Sequence, residues 1–124
     1  MNKMEIITRL ACDWVQRCFG DNVLNNKQER ALRLMEETIE LAQSVGVSLD
    51  KVYALGTHVY ARPRGDPNRE IGSVLLTAVV MSRTLGWNDP TNPLLAELRR
   101  VLDTDVDKFK KRWQEKIEDG VAAE

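Results

Sequence analysis

Apolar residues recur at helical spacing along nearly the whole chain, and the strict alternation that marks a half-buried strand is absent. Ile7, Leu10, Ala11, Trp14 and Cys18 predict a first helix over Lys3 to Phe19, with Gly20 as its stop. Asp21 to Asn26 reads as a polar, asparagine-rich loop. Ala31, Leu34, Met35, Thr38, Leu41, Ala42 and Val45 then form one stripe, which predicts a second helix from Lys27 to Val45, closed by Gly46. Ser48 is a suitable N-cap for a short third helix, with Asp50 in its first turn and Leu49, Val52, Tyr53, Val59 and Tyr60 as its inner face. The segment Ala61 to Arg69 holds two prolines, a glycine and three arginines and reads as a loop.

A fourth helix is expected from near Asn68 to about Leu85. Its body, Ile71 to Ser82, carries no charge, so it is expected to be central. Asp89 to Pro93 breaks the pattern. A last helical region follows from Leu94 to about Ile117, with a potential break at Asp103-Thr104, where Thr104 would cap a new start and Asp107 would follow. Residues 118–124 are expected to fray. The sum is an all-α bundle of four to five helices. The uncharged fourth helix offers more apolar surface than one thin bundle can cover, which favours an oligomer.

The chain has 124 residues, the length of one domain, so a single domain is expected over 1–124. With 43% hydrophobic and 30% charged residues it has an ordinary globular composition. Its net charge of −1 gives no basic field for holding a nucleic acid, and none is expected as a partner. The longest apolar run, Val74 to Met81, is far too short to cross a bilayer, so no membrane partner is expected. Cys12 and Cys18 lie six residues apart on one helix, facing different ways and too distant for a disulfide. Reduced thiols and an N-terminus without an apolar signal core point to a cytoplasmic location. The lone histidine, His58, cannot build a usual Cys/His zinc site and reads best as structural.

The candidate chemistry is acidic and basic. In Glu36-Glu37-Thr38-Ile39-Glu40, Glu37 and Glu40 share a helix face, Glu36 lies one turn from Glu40, and Arg33 sits on the same side. Crowded carboxylates repel unless a cation joins them, and hard divalent ions favour such oxygens. The same pattern also serves as a plain solvated face. Glu70 opens the uncharged fourth helix and leads a polar stripe of Ser73, Thr77 and Thr84; the alternative is a first-turn glutamate favoured by the helix dipole. Arg62, Arg64 and Arg69 beside it suit phosphate, or simply solubility. Near the end of the chain, Phe109 and Trp113 should pack inward while Lys108, Lys111 and Arg112 project from the neighbouring face, toward phosphate or solvent. Together these groups suggest metal-assisted attack on a phosphoanhydride.

The run Arg33-Leu34-Met35-Glu36-Glu37-Thr38-Ile39-Glu40-Leu41-Ala42 resembles the EExxE helix of the MazG-like all-α NTP pyrophosphohydrolases. Glu70-Ile71-Gly72-Ser73 resembles that family's ExxD segment, and Lys108-Phe109-Lys110-Lys111-Arg112 its KFxxR-type segment. The resemblance runs from about Trp14 to Trp113. It implies a MazG-like bundle, a homodimer or homotetramer, dependence on Mg²⁺ or Mn²⁺ with two or more ions per site, and cleavage of a (deoxy)nucleoside triphosphate to monophosphate and pyrophosphate. By position it implies Glu37 and Glu40 as metal ligands, Glu36 as a further ligand or the group that positions the catalytic water, and Glu70 as the ligand from the partner helix. Arg62, Arg64, Lys108, Lys111 and Arg112 are the matching candidates for phosphate contact. Ser73 departs from the pattern, because a neutral hydroxyl replaces the family's aspartate. That change leaves open a nucleotide binder without turnover, beside a plain helical interaction protein. His58 to Gly65, with Glu70 to Ser73, also resembles the phage-associated MazZ-like subgroup, which implies dGTP converted to dGMP in phage nucleotide metabolism.

Overall fold

Local sequence signals set most helix ends. In the computed structural model, which describes residues 1–123, seven α-helices follow one another and no strand occurs among the described residues. They are α1 (Lys3–Phe19), α2 (Asp21–Leu24), α3 (Lys27–Ser44), α4 (Leu49–Tyr60), α5 (Pro67–Thr84), α6 (Thr91–Leu102) and α7 (Val106–Glu118). Asn2 caps α1 by accepting from the Glu5 N–H, and Ser48 caps α4 by accepting from the Lys51 N–H, as its position predicts. Asp66 caps α5, with Pro67 at the first helical position, where no N–H is needed. None of these helices is long and apolar enough to cross a membrane.

Several expectations are corrected. Seven helices replace the four or five read from the pattern. Asp21 to Asn26 is not all loop: Gly20, at φ 87°, turns the chain directly into the single turn α2. The α6 helix starts at Thr91 rather than Leu94, because the Asp89 carboxylate accepts from the Thr91 N–H and Pro93 falls within the first turn. Asp105, not Thr104, caps α7, accepting from the Asp107 N–H at 2.9 Å. The Thr104 hydroxyl instead donates back to the Arg100 carbonyl at 2.7 Å.

The chain divides into two compact units. The first comprises residues 1–40 and the chain from Leu95 onward. It holds the core: Ile7 and Cys18 of α1, Leu98 and Val101 of α6, and Phe109 of α7, with Ala11, Trp14, Phe19, Leu95 and Val106 packed against them. Trp14 meets the Phe109 ring edge-on at 5.0 Å between centroids, a geometry worth about 0.5–1.5 kcal/mol beyond the buried area. Trp113 joins through Phe19 at 5.9 Å, so the inward placement of Phe109 and Trp113 holds. Both cysteines are free; Cys12 is exposed, and burial pushes the Cys18 thiol up.

In this unit α7 ends at Gly120 (φ 74°), where the Gly120 N–H donates to the Ile117 carbonyl and the Val121 N–H to that of Lys116. The segment expected to fray is tied down as far as Ala123. Asn26 Nδ2 donates to the Ala123 carbonyl at 3.3 Å, the Ala123 N–H donates to Glu29 at 3.3 Å, and Arg33 donates to the Val121 carbonyl. Glu124 lies outside the described residues.

The second unit, Leu41–Leu94, contains α4 and α5 and has no buried residue. The expected inner face of α4 is open: Tyr53 is 70% exposed and Leu49 64%. The expected central helix α5 is likewise uncovered within this chain, with Leu75 and Leu76 at 60% and 67%. The absence of charge marks these positions as apolar, but among the described residues they stay exposed. The polar stripe on α5 also turns inward on itself, since the Thr77 and Thr84 hydroxyls donate to the Ser73 and Val80 carbonyls of their own helix.

Candidate acidic cleft in the first unit

The apolar stripe expected to bury α3 is largely open, with Leu34 and Met35 exposed, and the buried residue of the helix is Glu29 instead. Glu36, Glu37 and Glu40 of the same helix line an open cleft of about 680 Å³. The α6 helix contributes Glu97 and Arg100, and α7 contributes Arg112, Glu115 and Lys116. Asp119 and Val121 complete the wall.

The three glutamates of α3 are not equivalent. Glu36 Oε1 is shared by Arg33 Nη1 at 3.3 Å and Lys116 Nζ at 3.0 Å, so its charge is balanced. Glu37 and Glu40 make no ion pair among the described residues. Desolvation raises the Glu37 pKa first; repulsion from Glu40, Glu36 and Glu97 adds to it, against a lowering by Lys116. Across the cleft Arg100 Nε lies 3.0 Å from both Glu97 oxygens, a forked pair that holds the Glu97 carboxyl below its usual value. The Arg112 guanidinium lies over the Phe109 ring, its Cζ 5.8 Å from the centroid, and the residue also lines the cleft.

The structure thus brings Glu36, Glu37, Glu40 and Arg112 together, as the sequence suggests. It does not place Lys108 or Lys111 on the cleft wall; both are exposed on α7, and Lys116, one turn beyond Arg112, takes the position instead. Glu70, Arg62 and Arg64 belong to the second unit and are exposed there. The Glu70 carboxylate folds over Gly65 so closely that a Cβ at that position would collide with it.

Sequence reasoning missed Glu29, Glu97, Arg100 and Lys116. Glu29 had a signal: Asn26-Lys27-Gln28-Glu29 has capping-box spacing, and Asn26 Oδ1 accepts from the Glu29 N–H at 3.1 Å. Its side chain, however, reaches forward to Arg33 rather than back. Glu97 and Arg100 also have i,i+3 spacing, which is visible in sequence but common on solvated helices.

A divalent cation fits the donor set in its chemistry. The available groups are carboxylate oxygens, which hard cations prefer, and the crowding at Glu37 is the kind of repulsion a cation relieves. Among the described residues no three ligand-type side chains already meet as a metal-holding group, so the carboxylates would have to converge on the ion. Comparison of the chain with protein-family models, curated proteins and solved structures gives no match.

Proposed function

We propose that the chain is a metal-dependent (deoxy)nucleoside triphosphate pyrophosphohydrolase, releasing the nucleoside monophosphate and pyrophosphate. One observation carries this reading: unpaired carboxylates and strong cations face each other around a single cleft, Glu37 and Glu40 against Arg112, Lys116 and Arg100. Such a pairing of signs suits a polyphosphate and its counter-ion together. Glu37 and Glu40 would hold Mg²⁺ or Mn²⁺. When bound, the cation would supply Lewis-acid polarisation of the phosphate oxygens. Arg112 would bind and orient the phosphates through its fork, while Lys116 holds Glu36. Glu36, held beside Glu37 by Arg33 and Lys116, would serve as a further ligand or orient the attacking water.

Glu70 as a further ligand, and Arg62 and Arg64 as phosphate contacts, remain part of the proposal on their sequence pattern. So does self-association as a homodimer or homotetramer, which the uncovered apolar faces of α4 and α5 favour. The dGTP preference and a phage setting belong to the same proposal at its most specific.

The test is pyrophosphate release from the eight common NTPs and dNTPs, with Mg²⁺, with Mn²⁺ and with EDTA, beside Glu37→Gln. Metal-dependent release that disappears in Glu37→Gln is the expected result. A second reading, a helical binding protein without turnover, is favoured by the neutral Ser73 and the open apolar unit. It predicts no release from any nucleotide. If it binds nucleotide, ligand at 100 times its dissociation constant would still add about 2.7 kcal/mol of stability.

A further inference from the structure

Glu29 is fully buried, at 0% exposure, and is the single buried charged residue among those described. A buried carboxylate is costly unless it is paired and hydrogen-bonded. Here it is. Arg30 Nη2 donates to Glu29 Oε2 at 3.0 Å and the Ala123 N–H to Oε1 at 3.3 Å, while Arg33 Nε lies 3.1 Å from Oε2 as an ion pair without hydrogen-bond geometry. Arg33 then has two further engagements, Glu36 Oε1 and the Val121 carbonyl. Val121 is itself part of the cleft wall.

We propose that Glu29 is a positioning residue for the cleft. Its carboxylate fixes the Arg33 guanidinium, which in turn fixes Glu36 on the wall and straps segment 121–123 alongside α3. This inference rests on the cation-binding reading above and deepens it. Lys116 completes the clamp on Glu36, so Arg33 and Lys116 are both committed to that one carboxylate, while Arg100 across the cleft is committed to Glu97 and Arg112 also lines the wall. Glu37 and Glu40 are thereby left unpaired for a divalent ion. Without Glu29, Arg33 loses its anchor and is free to swing onto Glu37 or Glu40, one turn or two along the same helix. Strap and cleft are then coupled, since the residue that holds segment 121–123 also clears the carboxylates.

The experiment uses Mn²⁺ alone, its affinity followed by electron paramagnetic resonance, together with amide exchange at Ala123. The variants are Glu29→Gln and Arg33→Lys. The second keeps a positive charge against Glu29 but loses the fork that reaches Glu36 and Val121 at once, and it protects the test if Glu29→Gln fails to fold. Both are expected to weaken Mn²⁺ binding by about tenfold or more, the usual scale for groups that orient ligands, and to speed exchange at Ala123. Faster exchange with unchanged Mn²⁺ affinity means a purely structural clamp and overturns the proposal. Folded variants with neither change overturn it as well. Failure of the unsubstituted chain to bind Mn²⁺ overturns the cation reading itself, a result distinct from normal binding that ignores both variants.

Discussion

The two units differ in what their apolar positions meet. In the first, α1, α6 and α7 present their stripes to one another, and Ile7, Cys18, Leu98, Val101 and Phe109 leave water together. In the second, α4 and α5 carry stripes at least as apolar, yet Tyr53, Leu75, Leu76 and Val80 remain open. Helical periodicity therefore announces a face that wants cover but does not say whether the same chain supplies it. The cleft follows the same division. Its paired residues Glu97, Arg100 and Lys116 stand on α6 and α7, whose other faces are packed in the core.

The largest test of this difference is truncation of one apolar side chain in each unit. Phe109→Ala should cost about 3–5 kcal/mol in chemical denaturation, as expected for a large buried ring. Leu76→Ala should change stability by less than about 0.5 kcal/mol if α5 stays uncovered in solution. A loss of about 2–5 kcal/mol at Leu76, with a dependence on protein concentration, would show that a second copy buries it.

Caps provide a smaller comparison. Asp105→Ala in the first unit and Ser48→Ala in the second each remove an N-terminal acceptor, worth about 1 kcal/mol where the helix belongs to the cooperative fold. Thermal unfolding should show the full effect for Asp105→Ala. A marginally held α4 would instead report Ser48→Ala as a local loss of helicity by circular dichroism, with little change in the main transition.

The smallest effect concerns Glu37. Its carboxyl is raised in the folded chain, so its contribution favours folding below the ordinary glutamate range and is lost as pH rises through the raised value. Removing that charge should thus help at neutral pH and not in acid. Glu37→Gln is expected to raise Tm slightly at pH 7, by the equivalent of about 0.5 kcal/mol or less, and to leave it unchanged near pH 4. Equal shifts at both pH values would show that the crowding is not electrostatic.

Much of this was legible in advance. Capping residues and glycines marked the ends of α1, α3, α4 and α5 within a residue or so, because those signals are local. Glu36, Glu37 and Glu40 were visible as a face for the same reason. The cover over α4 and α5, and the choice of Lys116 over Lys108 and Lys111, were not, since both depend on which side of a helix meets another element. Glu29 was hidden by its type. A glutamate near a helix start is ordinarily solvated, and only the return of segment 121–123 makes it buried.

The two thiols of α1 give the molecule an internal clock. Cys12 stands in water while Cys18, six residues on, is shut in the core with its acidity suppressed. A thiol-reactive dye should therefore label the chain in two separated steps, the first at once and the second as often as the packed unit opens. The interval between them reads the rate of breathing of that unit alone, without adding any reporter group.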